Sequence, residues 1–226
     1  MNHQNNIERI RTVFNSLGEL QDTVVFVGGA TVTLYADRQA FETKPTQDID
    51  IIVELLNYSS RTKFEESLRG KGFSHDAESG VISRYRIHGI IVDIVPTSID
   101  AIGLSNKWYP DGYRDAINYK IDEHCLVKIL SPSHFIATKL EAFKNRGAAD
   151  GRTSPDFEDI VYVLENRRSI WQEMKSAPQV LKEYLRSEFI LLMDNTNIME
   201  WIDCHVERLS PATTLIADGI NALIKS

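Results

Sequence analysis

The chain has 226 residues, a formal charge of −7, 42% hydrophobic and 25% charged residues, which describes an ordinary globular protein long enough to bury a core, not a disordered or fibrous one. The acidic balance excludes a protein that coats nucleic acid through clustered lysines and arginines, although it leaves room for a local basic patch. Met1 to Arg11 is polar and no stretch approaches bilayer length, so the expectation is a soluble, cytoplasmic protein with no membrane association.

Ile7, Ile10, Val13, Phe14 and Leu17 recur at helical spacing, which predicts a helix over residues 5–18 stopped by Gly18. Thr23 to Val27 is a β-branched and aromatic run ending in Gly28-Gly29, and Ala30 to Ala36 again has helical character. The reading is strand, glycine turn, helix. Asp37 to Gln47, with Pro45, is a loop that delivers the chain to a strand over Asp48 to Val53. Ser60 to Gly70 reads as a helix. Val81 to Ile87 and Ile90 to Val95 read as strands joined by a His88-Gly89 turn. Thr97 to Leu130 is irregular, apart from a strand around Cys125 to Ile129.

Ser131-Pro132-Ser133 opens a helix through Arg146, Gly147 to Pro155 is a polar loop, and Asp156 opens a helix to about Arg167. Residues 170–226 read as further helices broken near Asn195-Asn197 and Ser210-Pro211. The expected class is α+β: a small mixed sheet flanked by helices within residues 1–130, then a helical C-terminal region over 131–226.

Two acids at i and i+2 on a strand share a face, so Asp48 and Asp50 can hold one or two hard cations about 4 Å apart, with Ile49 buried behind them. Asp93 is a lone acid inside the apolar run Ile90 to Val95. If the two strands pair, its carboxylate joins the others and the three make a magnesium site. Gly28-Gly29 lets backbone approach a triphosphate, and the following helix N-terminus favours the negative charge. Lys139, Phe143 and Arg146 fall on one helical stripe, and Asp156 and Asp159 lie one turn apart. These four charged residues either face a cleft or tie two helices together as ion pairs, and the two roles can coexist. Cys125, Cys204 and the histidines at 75, 88, 124, 134 and 205 show no zinc or catalytic spacing. Trp108 reads as a packing anchor that could also stack a base.

In combination, Val27-Gly28-Gly29-Ala30, Pro45-Thr46-Gln47-Asp48-Ile49-Asp50-Ile51-Ile52-Val53 and Val92-Asp93-Ile94-Val95-Pro96 resemble the core signature of the DNA polymerase β-like nucleotidyltransferases. Ala137 to Arg146 and Ser154 to Ile160 resemble downstream motifs of the AbiEii/MenA-like branch, the toxins of type IV toxin–antitoxin systems. The resemblance covers about residues 23–167 and implies a nucleotidyltransferase fold with residues 1–130 as its catalytic core and 131–226 completing the active-site cleft. It further implies transfer of NMP from an NTP to an acceptor hydroxyl with release of pyrophosphate, supported by Mg²⁺ or Mn²⁺. Asp48 and Asp50 would bind metal, and Asp93 would bind the second metal and activate the attacking hydroxyl. Gly28, Gly29, Thr46, Lys139 and Arg146 would contact the nucleotide, with Asp156 or Asp159 completing the second half of the site. The implied acceptor is the tRNA 3′ end and the implied partner a cognate antitoxin. The alternatives are a small-molecule or protein nucleotidylating enzyme, and a catalytically silent nucleotide-binding regulator.

Overall fold

The protein is described by a computed structural model over residues 2–37, 46–55, 57–97, 106–146, 150–206 and 211–226. Pro45 and most of the predicted 37–47 loop, part of the 147–155 loop, and Ser210 lie outside the described residues. The chain divides into two units, Met1–Leu34 with Glu42–Ser131, and Tyr35–Phe41 with Pro132–Ser226. The second unit thus takes a short piece of the N-terminal half, which a contiguous division at 130 did not anticipate.

In the first unit, α1 (Asn2–Leu17) runs into a 3-10 turn, Gly18–Thr23. Its buried face carries Ile10, Val13, Phe14 and Leu17 as the periodicity predicts. At the N-terminal end, however, Asn6 is the buried residue and Ile7 is half-exposed. A seven-stranded sheet follows in the order β3-β4-β5-β2-β1-β7-β6. Its strands are β1 (Val24–Val27), β2 (Asp48–Val53), β3 (Ser74–His75), β4 (Arg84–Ile87), β5 (Ile90–Pro96), β6 (Ile117–Lys120) and β7 (Leu126–Ile129). β2 pairs in parallel with β5, and β1 with β7, while the remaining pairs are antiparallel. The architecture is therefore α+β with a mixed sheet, as expected. β1 is buried at all four positions, which explains its uninterrupted apolar sequence at the centre of the sheet.

Several expectations change, and β6 forms in a stretch that reads as irregular. The strand over 81–87 is confined to Arg84–Ile87, because the Arg84 amide donates to the Val81 carbonyl (3.1 Å) and folds residues 81–84 into a turn. The helix after Gly28-Gly29 is a 3-10 helix, Gly29–Tyr35. Its β-branched Thr31, Val32 and Thr33 are poor helix formers, and the Thr31 hydroxyl donates back to the Gly28 carbonyl at 2.9 Å. Between β4 and β5, His88 and Gly89 both have positive φ (48° and 78°), as a two-residue hairpin matched to strand twist requires. The remaining helices of this unit are α2 (Tyr58–Gly70), opened by an Asn57–Ser60 capping box, and α3 (Tyr109–Arg114).

The second unit is helical: α4 (Pro132–Asn145), α5 (Pro155–Asn166), α6 (Ile170–Lys175), α7 (Gln179–Met193), α8 (Ile198–Asp203) and α9 (Ala212–Ile224). α5 starts one residue earlier than predicted, with Ser154 as its cap accepting from the Phe157 amide at 3.3 Å and Pro155 in the first turn, a favoured place for proline. Phe143, Phe157 and Trp201 meet with ring centroids 5.4 to 6.1 Å apart and tie α4, α5 and α8 together. Among the described residues no helix is long and apolar enough to cross a membrane.

Trp171 on α6 packs flat against Gly219 of α9, where an added Cβ would lie 2.3 Å from two indole ring atoms. Gly219→Ala gains about 1 kcal/mol in helix propensity. The overpacking it creates costs about 1–3 kcal/mol, so chemical denaturation should show a net loss of up to about 2 kcal/mol, and a raised midpoint contradicts the packing described.

Candidate metal centre

The first-unit site is built by strand register. Asp48 and Asp50 alternate with Ile49 and Ile51, both fully buried, so the two carboxylates emerge on one face of β2. The parallel β2–β5 register sets Asp50 beside Asp93. One carboxylate oxygen from each of Asp48, Asp50 and Asp93 lies within 4.8 Å of the other two. Among the described residues this is the one group of three or more His, Cys, Asp or Glu side chains close enough to hold a metal ion. The three are half-exposed, so a ligand can reach them from solvent.

Gly28, at the end of β1, is part of the same construction. Val27 is paired with Asp50, and the chain turns at Gly28 with φ of +73°, a conformation that side chains disfavour. A Cβ there would sit 2.1 Å from Asp50 Oδ2. The glycine is required by the carboxylate as much as by the turn. Gly29 takes the first position of the 3-10 helix.

Two cations that sequence reasoning missed complete the surroundings. Arg84 stands opposite Asp93 in the β4–β5 register. Its Nε donates to Asp93 Oδ1 at 2.8 Å and its Nη2 to Asp93 Oδ2 at 2.7 Å. Nη2 also reaches Asp48 Oδ2 at 3.4 Å. The hydrogen bonds to Asp93 hold the guanidinium well above its ordinary value, against the opposing effect of burial. Arg9 on α1 donates to the carbonyls of Thr46 and of Gln47, the latter at 2.6 Å. It thereby fixes the two residues that lead into β2. Partial burial pulls the Arg9 guanidinium below its ordinary value, and the negative charge of Asp48 opposes that. Thr46, the expected phosphate contact, donates its hydroxyl to the Asp48 carbonyl at 2.9 Å.

The donor set fits a hard divalent cation: three carboxylates and no sulfur or imidazole. Ligand oxygens that all lie within 4.8 Å of one another are compatible with one hard divalent cation or with two side by side.

The other predicted charges gather in the second unit. Lys139 Nζ lies 2.6 Å from Asp159 Oδ2 and 3.1 Å from Asp156 Oδ1, and Arg146 Nη1 lies 2.9 Å from Asp156 Oδ2. The Lys139 and Asp156 side chains are 11% and 3% exposed, whereas Arg146 is 73% exposed. This is a mostly buried ion network clamping α4 to α5, the helix-tying role of the stripe. Burial alone would lower the Lys139 ammonium, but Asp159 and Asp156 outweigh it and leave it raised. Burial also raises the Asp159 carboxyl, with Lys139 opposing. Trp108 is buried, Cys125 and Cys204 are free thiols, and none of the histidines at 75, 88, 124, 134 and 205 joins the acidic cluster.

No protein-family model matches the chain, and no curated protein matches it. The geometry of the two charge clusters makes two predictions. Gly28→Ala places a methyl on Asp50 and should cost about 1–3 kcal/mol in a denaturant titration; a loss below about 0.5 kcal/mol contradicts the close approach. Lys139→Met strands the Asp159 carboxylate and leaves Asp156 to Arg146, and should cost about 3–5 kcal/mol. A carboxyl whose folded pKa is raised favours the fold while protonated, and that contribution is lost as pH rises through the raised value. Without Lys139 to oppose burial, Asp159 rises further, so the variant's deficit should be smaller at pH 5 than at pH 8. A deficit independent of pH contradicts this assignment.

Proposed function

We propose that the protein is a divalent-metal-dependent nucleotidyltransferase that moves NMP from an NTP to an acceptor hydroxyl and releases pyrophosphate, built on the DNA polymerase β-like nucleotidyltransferase fold and related to its AbiEii/MenA-like branch. The observation that carries this reading is the convergence of Asp48, Asp50 and Asp93 on one sheet face beside the Gly28 turn. In this reading Asp48, Asp50 and Asp93 hold Mg²⁺ or Mn²⁺, which when bound polarises the transferring phosphoryl group and lowers the pKa of an attacking hydroxyl. Asp93, the ligand farthest along the sheet from Gly28, accepts the proton of that hydroxyl. Gly28 allows backbone to approach the phosphates where any side chain would block them. Arg9, by fixing the Thr46 and Gln47 carbonyls, orients the two β2 ligands. The favoured acceptor is an RNA 3′ end such as that of tRNA, with a cognate antitoxin as partner; a small molecule or protein hydroxyl is the alternative acceptor.

Arg84 favours a second reading. A guanidinium already bonded to Asp93 and near Asp48 makes a stable internal ion cluster, which is what a catalytically silent nucleotide-binding regulator would retain.

Incubation with each α-labelled NTP, Mg²⁺ or Mn²⁺, and total RNA or cell lysate separates the two. The enzyme reading expects label transfer by the wild type and a loss of at least about 100-fold in Asp48→Ala and Asp50→Ala, since even changes outside the ligand shell cost 10–100-fold. Absence of transfer by the wild type, or equal transfer by the variants, favours the silent regulator.

A further inference from the structure

The acidic cluster already contains a cation of the protein's own, and its placement is a consequence of register. The hairpin turn at His88-Gly89 pairs Ile87 with Ile90 and, three steps on, Arg84 with Asp93. Arg84 engages both Asp93 oxygens, at 2.8 and 2.7 Å, and reaches toward Asp48. The paired arrangement of planar guanidinium and carboxylate is the strongest form of this contact. The Arg84 side chain is about one-quarter exposed (24%) and that of Asp93 less so (14%), so solvent screens the pair only in part. A divalent ion bound to Asp93 and Asp48 would stand within a few ångströms of that guanidinium. At so short a separation like charges repel strongly even near a protein surface. Cation and guanidinium are therefore rivals for the same carboxylates.

We infer that Arg84 is a built-in competitor for the divalent cation: it offsets part of the cluster's charge when no metal is bound and must release Asp93 for the metal to load. The inference rests on the metal-binding reading of Asp48, Asp50 and Asp93. It adds that the affinity of the site is set by a residue that is not a ligand. In the metal-free protein Arg84 lessens the mutual repulsion of the carboxylates, that between Asp93 and Asp48 above all. On loading, its guanidinium is freed beside the cluster, with its donor fork available for a phosphate oxygen. Arg84 is thus a positioning residue whose two arrangements correspond to the empty and loaded site.

The test is Mn²⁺ binding by calorimetry and electron paramagnetic resonance on the full chain, comparing wild type, Arg84→Met, Arg84→Lys and Asp50→Asn. Removal of the competitor should tighten Mn²⁺ binding about tenfold or more in Arg84→Met, with Arg84→Lys, which keeps charge but loses the fork, in between. Equal or weaker binding by Arg84→Met, with wild-type binding intact and Asp50→Asn defective, overturns the competitor role and leaves the metal site standing. Undetectable binding by every variant, or binding unaffected by Asp50→Asn, overturns both. Should Arg84→Met not fold, the wild type still decides: the arginine Nε–H resonance assigned to Arg84 by the lysine variant should shift in step with a titration by diamagnetic Mg²⁺. A resonance that stays fixed while metal binds overturns the inference.

Discussion

Three carboxylates within 4.8 Å of one another repel, and much of the first unit is arranged so that the sheet can tolerate them. Like charges at about 4 Å cost roughly 4 kcal/mol per pair at a protein surface, an energy that a flexible loop would escape by splaying apart. Here Asp48 and Asp50 are fixed by the buried Ile49 and Ile51 between and beyond them. Asp93 is fixed by its position in β5, flanked by buried Val92 and Ile94. Moving one carboxylate away would mean withdrawing its neighbours from the core. The opposing charge comes from β4, where Arg84 meets Asp93, and the space comes from β1, where Gly28 leaves room for Asp50. Four adjacent strands thus each contribute one feature to a single electrostatic problem.

The legible part of this was the part written in local pattern. The i, i+2 acids, the lone Asp93 in an apolar run, the glycine pair and the turn at His88-Gly89 all specify their own surroundings, and β1, β2 and β5 form where their alternation or apolar runs require. The parallel pairing of β2 with β5 was expected only conditionally, since strand adjacency is a property of the whole sheet. Arg84 was overlooked, although the signal existed. A two-residue turn fixes every pair across a hairpin, so counting back from His88-Gly89 sets residue 84 opposite residue 93. Arg9 carried no such signal: its bonds to the Thr46 and Gln47 carbonyls span 37 and 38 positions and depend on how α1 packs. The 3-10 conformation after Gly29 likewise follows from a buried environment acting on β-branched residues of ambiguous preference.

The second unit shows the same chemistry put to a different use. Lys139, Arg146, Asp156 and Asp159 have spacings as regular as those of the acidic triad, yet they meet one another, and Lys139 is nearly enclosed by its two carboxylates. Periodicity places charges on a common stripe without saying whether the stripe faces solvent, ligand or a neighbouring helix. Charge balance separates the cases: the triad carries a net negative charge even with Arg84, whereas the α4–α5 network is balanced and, Arg146 apart, largely enclosed. The first arrangement can take up a cation, and the second chiefly holds helices in place.

That capacity for a cation is the claim on which the functional account stands, and anomalous diffraction from crystals grown with Mn²⁺ measures it most directly. The account predicts an anomalous peak bonded to Asp48, Asp50 and Asp93, with Arg84 withdrawn from Asp93. A map without such a peak at saturating Mn²⁺, with Arg84 still bonded to both Asp93 oxygens, would show instead that the cluster is a self-contained ion network.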